Sequence, residues 1–244
     1  MKVIEPSYEI LKCPEGEECL AFLERCARTC YKSEGKIDDG WDKCPECEGG
    51  TYYPAGTNFP RACLNCQPRG GRIKVRDPSS HKLIRAILKR GHESVIEHLS
   101  ITVKFTVDRG VSHELVRHRL CSFSQESTRF VRYTAECEEG NELTFIRPCF
   151  WEEESGGFET WKTAMICAEQ YYLSLLSLGA KPEEARSVLP NSLKTEIVTT
   201  ANLREWRLIF KLRTSPRAHP QFRQVTVPLL EELRKRIPII FEEL

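Results

Sequence analysis

Arg117-His118-Arg119-Leu120-Cys121-Ser122-Phe123-Ser124-Gln125-Glu126-Ser127-Thr128-Arg129 packs three arginines, a histidine, three serines, a glutamine and a glutamate into thirteen residues. Such a stretch makes a poor core element, because each buried polar group without a partner costs roughly 1–3 kcal/mol. It suits a site that holds something anionic and rich in hydrogen-bonding groups. Guanidinium forks match phosphate bidentately, and hydroxyls and amides read polar edges. A solvated, charged helix end is the plainer reading of the same residues.

Just upstream, residues 110–119 read as a helix with Val111, Leu115 and Val116 inward, which puts the polar stretch at a helix end and in the loop beyond it. Before that helix, Ile101, Val103, Phe105 and Val107 alternate with Thr102, Lys104 and Thr106, a half-buried strand. Residues 91–98 form a polar turn or short helix. Leu83, Ile84, Ile87 and Leu88 line an earlier helix, with Asp77 or Ser79 as its N-cap and Gly91 as its stop. At the N-terminus, residues 2–11 suggest an edge strand and residues 17–30 an amphipathic helix. Downstream, residues 158–178 form the longest helix, its stripe of Trp161, Met165, Ala168, Tyr172 and Leu175/Leu176 belonging to the core. A short helix at 182–190, a β-rich run at 194–200 and a helix at 202–212 follow, the last with Leu203, Trp206, Ile209 and Phe210 inward. The C-terminal segment is helical around 229–236, interrupted by Pro228 and Pro238. These patterns establish only a mixture of α and β elements.

At 244 residues the chain can build one sizeable core, or one large domain with an insertion. Its 36 basic and 35 acidic side chains leave a net charge of +1, so any anion binding is local and a nucleic-acid partner is not expected. No apolar run approaches the roughly 20 residues of a membrane helix, and residues 1–6 lack a signal-peptide core. A cytoplasmic protein is expected.

Twelve cysteines are many for a reducing compartment, and eight of them precede residue 67. Between residues 31 and 71 the apolar periodicity lapses. There Cys44-Pro45-Glu46-Cys47 and Cys63-Leu64-Asn65-Cys66 stand fifteen residues apart, the spacing of a four-thiolate zinc ribbon. Structural zinc on Cys44, Cys47, Cys63 and Cys66, within a zinc-ribbon-like insertion at 41–69, is the expectation. A redox-active or unligated set of thiols is the alternative. Four thiolates leave no open position for catalysis. Arg61, Arg69 and Arg72 alone make a weak basic patch.

Outside the insertion, arginine recurs beside an amide or hydroxyl at helix ends: Arg186, Asn202-Leu203-Arg204 and Arg213. No Gly-rich nucleotide fingerprint is present, so a nucleotide would be held by side chains. The pattern Arg117-His118-Arg119-x-x-Ser122-x-x-x-x-Ser127-x-Arg129 closely resembles the signature of the flavin-dependent thymidylate synthases (ThyX). Gly91-His92-Glu93-Ser94-x-x-Glu97-His98, Ala185-Arg186-x-x-Leu189-Pro190, Asn202-x-Arg204 and Leu212-Arg213 extend the resemblance in order along nearly the whole chain. It implies an α+β domain over 1–244, interrupted by the insertion, that assembles as a homotetramer with sites at subunit interfaces.

The resemblance also implies reductive methylation of dUMP to dTMP, with 5,10-methylenetetrahydrofolate as carbon donor and NADPH-reduced FAD as hydride source. By position, Ser94, Arg117, His118, Arg119, Gln125, Asn202 and Arg204 would contact FAD. Glu114, Arg117, Gln125, Glu126, Ser127, Thr128, Arg129, Arg186 and Arg213 would bind dUMP. His92 and Glu97 match positions near the flavin and the folate. Arg213 is the expected activating residue, because a guanidinium beside the uracil stabilises negative charge on its N3/O2 edge and makes C5 nucleophilic. Ser127 has no histidine base beside it in the motif and reads as a binding residue, and Cys121 as a packing residue. The chain departs from the family in Glu114, where glutamine is frequent, and in Leu208, where a polar flavin neighbour is frequent. It departs again in the loose match of 217–223, and the insertion is not a general family feature. A zinc-ribbon nucleic-acid or protein-binding module on a flavin-binding scaffold without turnover is the rival reading.

Overall fold

A computed structural model describes residues 1–30, 32–45, 47, 51–52, 61–63, 72–74, 77–133 and 142–244. In chain order the elements are β1 (Lys2–Ile4), β2 (Ser7–Lys12), α1 (Gly16–Thr29), β3 (Trp41–Lys43), β4 (Thr51–Tyr52) and β5 (Arg61–Ala62). Then come β6 (Arg72–Lys74), α2 (Ser79–Lys89), β7 (Ser100–Asp108), α3 (Arg109–Leu115), β8 (Ser122–Gln125) and β9 (Thr144–Ile146). The chain closes with α4 (Gly156–Ser177), α5 (Pro182–Ala185), β10 (Lys194–Asn202), α6 (Leu203–Arg213) and α7 (Pro220–Arg236). Two compact units result: Met1–Pro14 with Leu99–Arg236 and Phe241–Leu244, and Glu15–His98 with Ile237–Ile240. Among the described residues, no helix is long and apolar enough to cross a membrane.

In the first unit, the alternation of β7 and β10 sets an antiparallel sheet of order β2-β7-β10-β8. Register pairs Val107 with Thr195, Phe105 with Ile197, Val103 with Thr199 and Ile101 with Ala201, so all eight side chains share one buried face. Helix α6 lays Leu203, Trp206, Ile209 and Phe210 against that face. The Trp206 indole stands 6.3 Å from the Phe105 ring and donates its N–H to the Ile101 carbonyl at 3.1 Å. The opposite face carries Thr102, Lys104 and Glu196, all half-exposed. A second core gathers Tyr133, Phe145, Phe158, Trp161, Met165 and Tyr172 under α4, as its aromatic stripe suggests. Gly179, at φ 94°, stops α4 in the left-handed conformation that only glycine adopts freely.

Three local expectations give way to packing. Residues 122–125 are the edge strand β8 and not a loop, because β10 offers them a free edge. Helix α7 starts at Pro220 and runs through Pro228. The proline sits on the exposed side and removes one backbone donor, while Phe222, Val225, Leu229 and Leu233 are buried before and after it. Helix α2 starts after Pro78 without a side-chain cap, since the Ser79 hydroxyl donates instead to the buried Glu24 carboxylate at 2.6 Å.

In the second unit, α1 buries Leu20, Leu23 and Ala27 and α2 buries Ile84, Ile87 and Leu88. Glu24, buried with them, also accepts from the Arg28 guanidinium at 2.8 Å. Beyond these helices lie two antiparallel ladders, β3 with β6 and β4 with β5. They are nested in sequence. Arg72 anchors the outer ladder, donating two hydrogen bonds of 2.7 Å to the Asp39 carboxylate.

Candidate active site

Helix α3 hands the chain into the site. Asp108 caps it, accepting from the Val111 N–H at 2.9 Å and from the Gln221 amide at 3.1 Å. A Cβ on Gly110 would meet the Asp108 carboxylate at 2.8 Å, so the cap needs glycine there. Glu114 then falls on the last turn, and the chain continues through Arg117, His118 and Arg119 into β8.

The centre of the site is Arg213, at the end of α6. Its guanidinium donates to the Glu114 carboxylate at 2.5 Å, to the Glu114 carbonyl at 3.3 Å and to His118 Nε2 at 3.1 Å. It also lies 5.2 Å from the centre of the Phe222 ring. His118 is 5% exposed, and its Nδ1 faces Glu205 Oε1 at 3.5 Å. Arginine carries donors only, so His118 Nε2 must be the acceptor and the ring must be neutral. Burial, and then the charge of Arg213, push the His118 pKa down to about 4, in keeping with that geometry. The close approach to Glu205 is therefore not an ion pair at neutral pH.

A second group surrounds Gln125, whose amide donates to the hydroxyls of Ser112 at 2.9 Å and Thr195 at 3.1 Å. Next to it the Glu126 carboxylate accepts from the Tyr133 hydroxyl at 2.7 Å and the Glu196 N–H at 3.2 Å, and pairs with Lys194 at 3.1 Å. Burial pushes the Tyr133 hydroxyl pKa up, and the Glu126 bond adds to the shift. Arg186 donates to the buried Thr128 hydroxyl at 3.3 Å, and Arg129 pairs with Glu183 at 2.8 Å. Ser127 Oγ accepts from the Arg129 N–H at 3.3 Å, an N–H that is no base, so among the described residues nothing activates it as a nucleophile. Cys121 has its thiol pKa pushed up to about 12, chiefly by burial and then by Glu205. A thiol so held is inert.

The two ends of α6 are thus both employed. Asn202 caps it, accepting from the Glu205 N–H at 2.8 Å, and Arg204 is exposed on the first turn. Leu208 is also exposed. Ser94 and Glu97 lie on the 3-10 turn Glu93–His98 of the second unit, and His92 just precedes it; all three side chains are exposed. Glu205, Lys194, Tyr133 and Phe222 touch the candidate residues His118, Glu126 and Arg213, and the sequence reading missed them. Only Glu205 left a signal there, the capping-box spacing Asn202-x-x-Glu205.

A model of the family described as thymidylate synthase complementing protein (Thy1) matches residues 16–239. The chain belongs to that family. Relatives named flavin-dependent thymidylate synthase include that of Pyrococcus furiosus, 37% identical over 168 residues, 68% of this chain and 66% of the relative. That of Geobacter sulfurreducens is 34% identical over 183 residues, 73% of this chain and 77% of the relative. The match to the Pyrococcus protein thus spans just under two thirds of its length. The fold is also that of PolB from Streptomyces cacaoi, described as a UMP/dUMP methylase and solved with 5-Br dUMP. There the TM-score is 0.68 at 20% identity, covering 99% of this chain and 96% of PolB.

In the second unit the Sγ atoms of Cys44, Cys47 and Cys63 lie within 4.8 Å of one another, with Cys44 and Cys63 both buried. Cys66 lies outside the described residues. The thiols occur where the outer ladder β3–β6 gives way to the inner ladder β4–β5 in the chain.

Proposed function

We propose that this protein methylates dUMP to dTMP with 5,10-methylenetetrahydrofolate as the carbon donor. FAD, reduced by NADPH, would supply the hydride when bound. The observation that carries the reading is the convergence of Glu114, His118 and Arg213 at the head of the arginine-rich stretch. The donor set fits both ligands. Arg117 and Arg119 are exposed and make no side-chain bond among the described residues, which suits a diphosphate. Arg186, whose side chain makes one bond among the described residues, to Thr128, keeps donors for a monophosphate. Arg117, Arg119, Gln125, Asn202 and Arg204 of the first unit would hold FAD, while His118, with both ring nitrogens engaged, would act through Arg213. Glu114, Arg117, Gln125 to Arg129, Arg186 and Arg213 would hold dUMP.

Arg213 does the activating work by stabilising negative charge on the uracil N3/O2 edge, so that C5 attacks without a thiol adduct. Glu114, His118 and Phe222 hold the guanidinium in place for that task, which removes the reorganisation it would otherwise undergo. Assembly is as a homotetramer in the cytoplasm with sites shared between subunits, supported by the exposed apolar side chains of Leu120 (77%) and Phe130 (78%) on either side of β8. Purified protein should show a flavin band that bleaches with NADPH and returns faster once dUMP and the folate are added. Protein that binds no added FAD would refute the synthase. Arg213→Lys should keep the flavin band and lose dTMP formation by about 10²–10³-fold, the effect of removing one aligned donor.

A structural zinc completes the proposal, held by Cys44, Cys47, Cys63 and Cys66. The 3.9 Å between Cys44 and Cys63 Sγ supports it. Two thiolates about 2.3 Å from one tetrahedral zinc stand roughly 3.8 Å apart, far beyond the ~2.05 Å of a disulfide. Metal analysis of the wild type should give one zinc per chain, and Cys44→Ser should lower both zinc content and thermal midpoint. Equal zinc in the two proteins refutes the site.

A further inference from the structure

We infer that Glu205 is a positioning residue that fixes the tautomer of His118 and, through it, the guanidinium of Arg213. The inference rests on the role given to Arg213 above and adds a residue to it. Its first support is Glu205 itself. The Asn202-x-x-Glu205 spacing calls for a capping box, in which the glutamate reaches back to the N-cap N–H. Among the described residues it does not. Asn202 accepts from the Glu205 N–H at 2.8 Å, but the Glu205 side chain turns inward, 4% exposed, to face His118 Nδ1 at 3.5 Å. A buried carboxylate that forgoes its local partner is held there at a cost, and its own pKa is raised by that burial.

The second support is the ring between the two ends of one helix. Glu205 lies on the first turn of α6 and Arg213 at its last residue, about 12 Å along the axis at 1.5 Å per residue. The His118 imidazole bridges them, Nδ1 toward Glu205 and Nε2 accepting from Arg213 Nε–H at 3.1 Å. A neutral imidazole has one proton and two places for it. On Nε2 that proton would oppose the Arg213 N–H, donor against donor. On Nδ1 it points at the carboxylate and leaves Nε2 free to accept. Glu205 thus selects the tautomer that lets His118 grip Arg213. Glu114 grips the same guanidinium from the other side, and the two together set its plane.

The test is made on FAD-loaded enzyme labelled with 15N-histidine. The chain has 6 histidines, and the His118 signal is identified by its loss in His118→Gln. Wild type should show His118 as the Nδ1–H tautomer. Glu205→Leu should move it to the Nε2–H form or a mixture, and lower kcat for dUMP by about 10–100-fold, the scale of a misplaced catalytic group. Glu205→Gln still offers an acceptor, and should keep both the tautomer and most of the rate. A wild-type His118 in the Nε2–H form, or a tautomer unmoved in Glu205→Leu, overturns the inference. The wild-type spectrum alone decides it if the leucine variant fails to fold. A moved tautomer with unchanged turnover would uphold the link from Glu205 to His118 and overturn the role of Arg213 instead.

Discussion

His118 should make this protein acid-sensitive in a defined window. Its folded pKa is about 4 against an ordinary 6.5, because the ring is buried and faces the positive Arg213. A depressed pKa means that between those two values the unfolded chain binds a proton that the folded chain refuses. Stability is therefore full above about 6.5 and falls as the pH drops toward 4. The linkage integral gives roughly 2 kcal/mol lost between pH 7 and pH 5, and about 3 kcal/mol by pH 4. Glu205, whose pKa is raised, works in the opposite direction, since it takes up a proton more readily when folded. The assay is urea unfolding of wild type and His118→Gln at pH 7 and pH 5, at one fixed protein concentration. Every carboxylate common to both proteins cancels in the double difference, Glu205 included to first order. Wild type should lose about 2 kcal/mol more than the variant on acidification. A double difference near zero, or the variant losing more, would show that His118 takes up its proton as readily in the folded protein as in the unfolded chain, and would refute a ring kept neutral by burial and Arg213.

Two further substitutions test the surroundings of the site. Cys121→Ala should keep dTMP formation within a few-fold of wild type, because a thiol at about 12 offers almost no thiolate at neutral pH; a loss beyond about 10²-fold in a steady-state assay would restore it as a nucleophile. Asp108→Ala should destabilise the fold by about 2–4 kcal/mol in urea unfolding, since it strands the Val111 N–H and the Gln221 amide in a buried place. A cost below about 0.5 kcal/mol would mean that the cap is dispensable.

The elements that pack on apolar periodicity were legible in the sequence, and those made by a partner were not. β7, α4 and α6 each display their buried face as a repeat, and packing follows the repeat. β8 has no such repeat. Ser122-Phe123-Ser124-Gln125 becomes a strand only because β10 presents an edge to it, a fact about residues some seventy positions away. The site divides in the same way. Arg213 and the 117–129 stretch announce themselves by charge at helix ends. The groups that touch them, Glu205 beside His118 and Lys194 beside Glu126, sit in runs that read as ordinary helix and strand, and Tyr133, which also bonds Glu126, lies in a run with no periodicity to read. Charge on the sequence marks what meets a ligand. What fixes the orientation of that charge is a matter of which carboxylate is buried against which ring, and only the packed chain decides it. The case of Glu205 is the sharpest, for its spacing promised a helix cap, and packing turned it toward His118 instead.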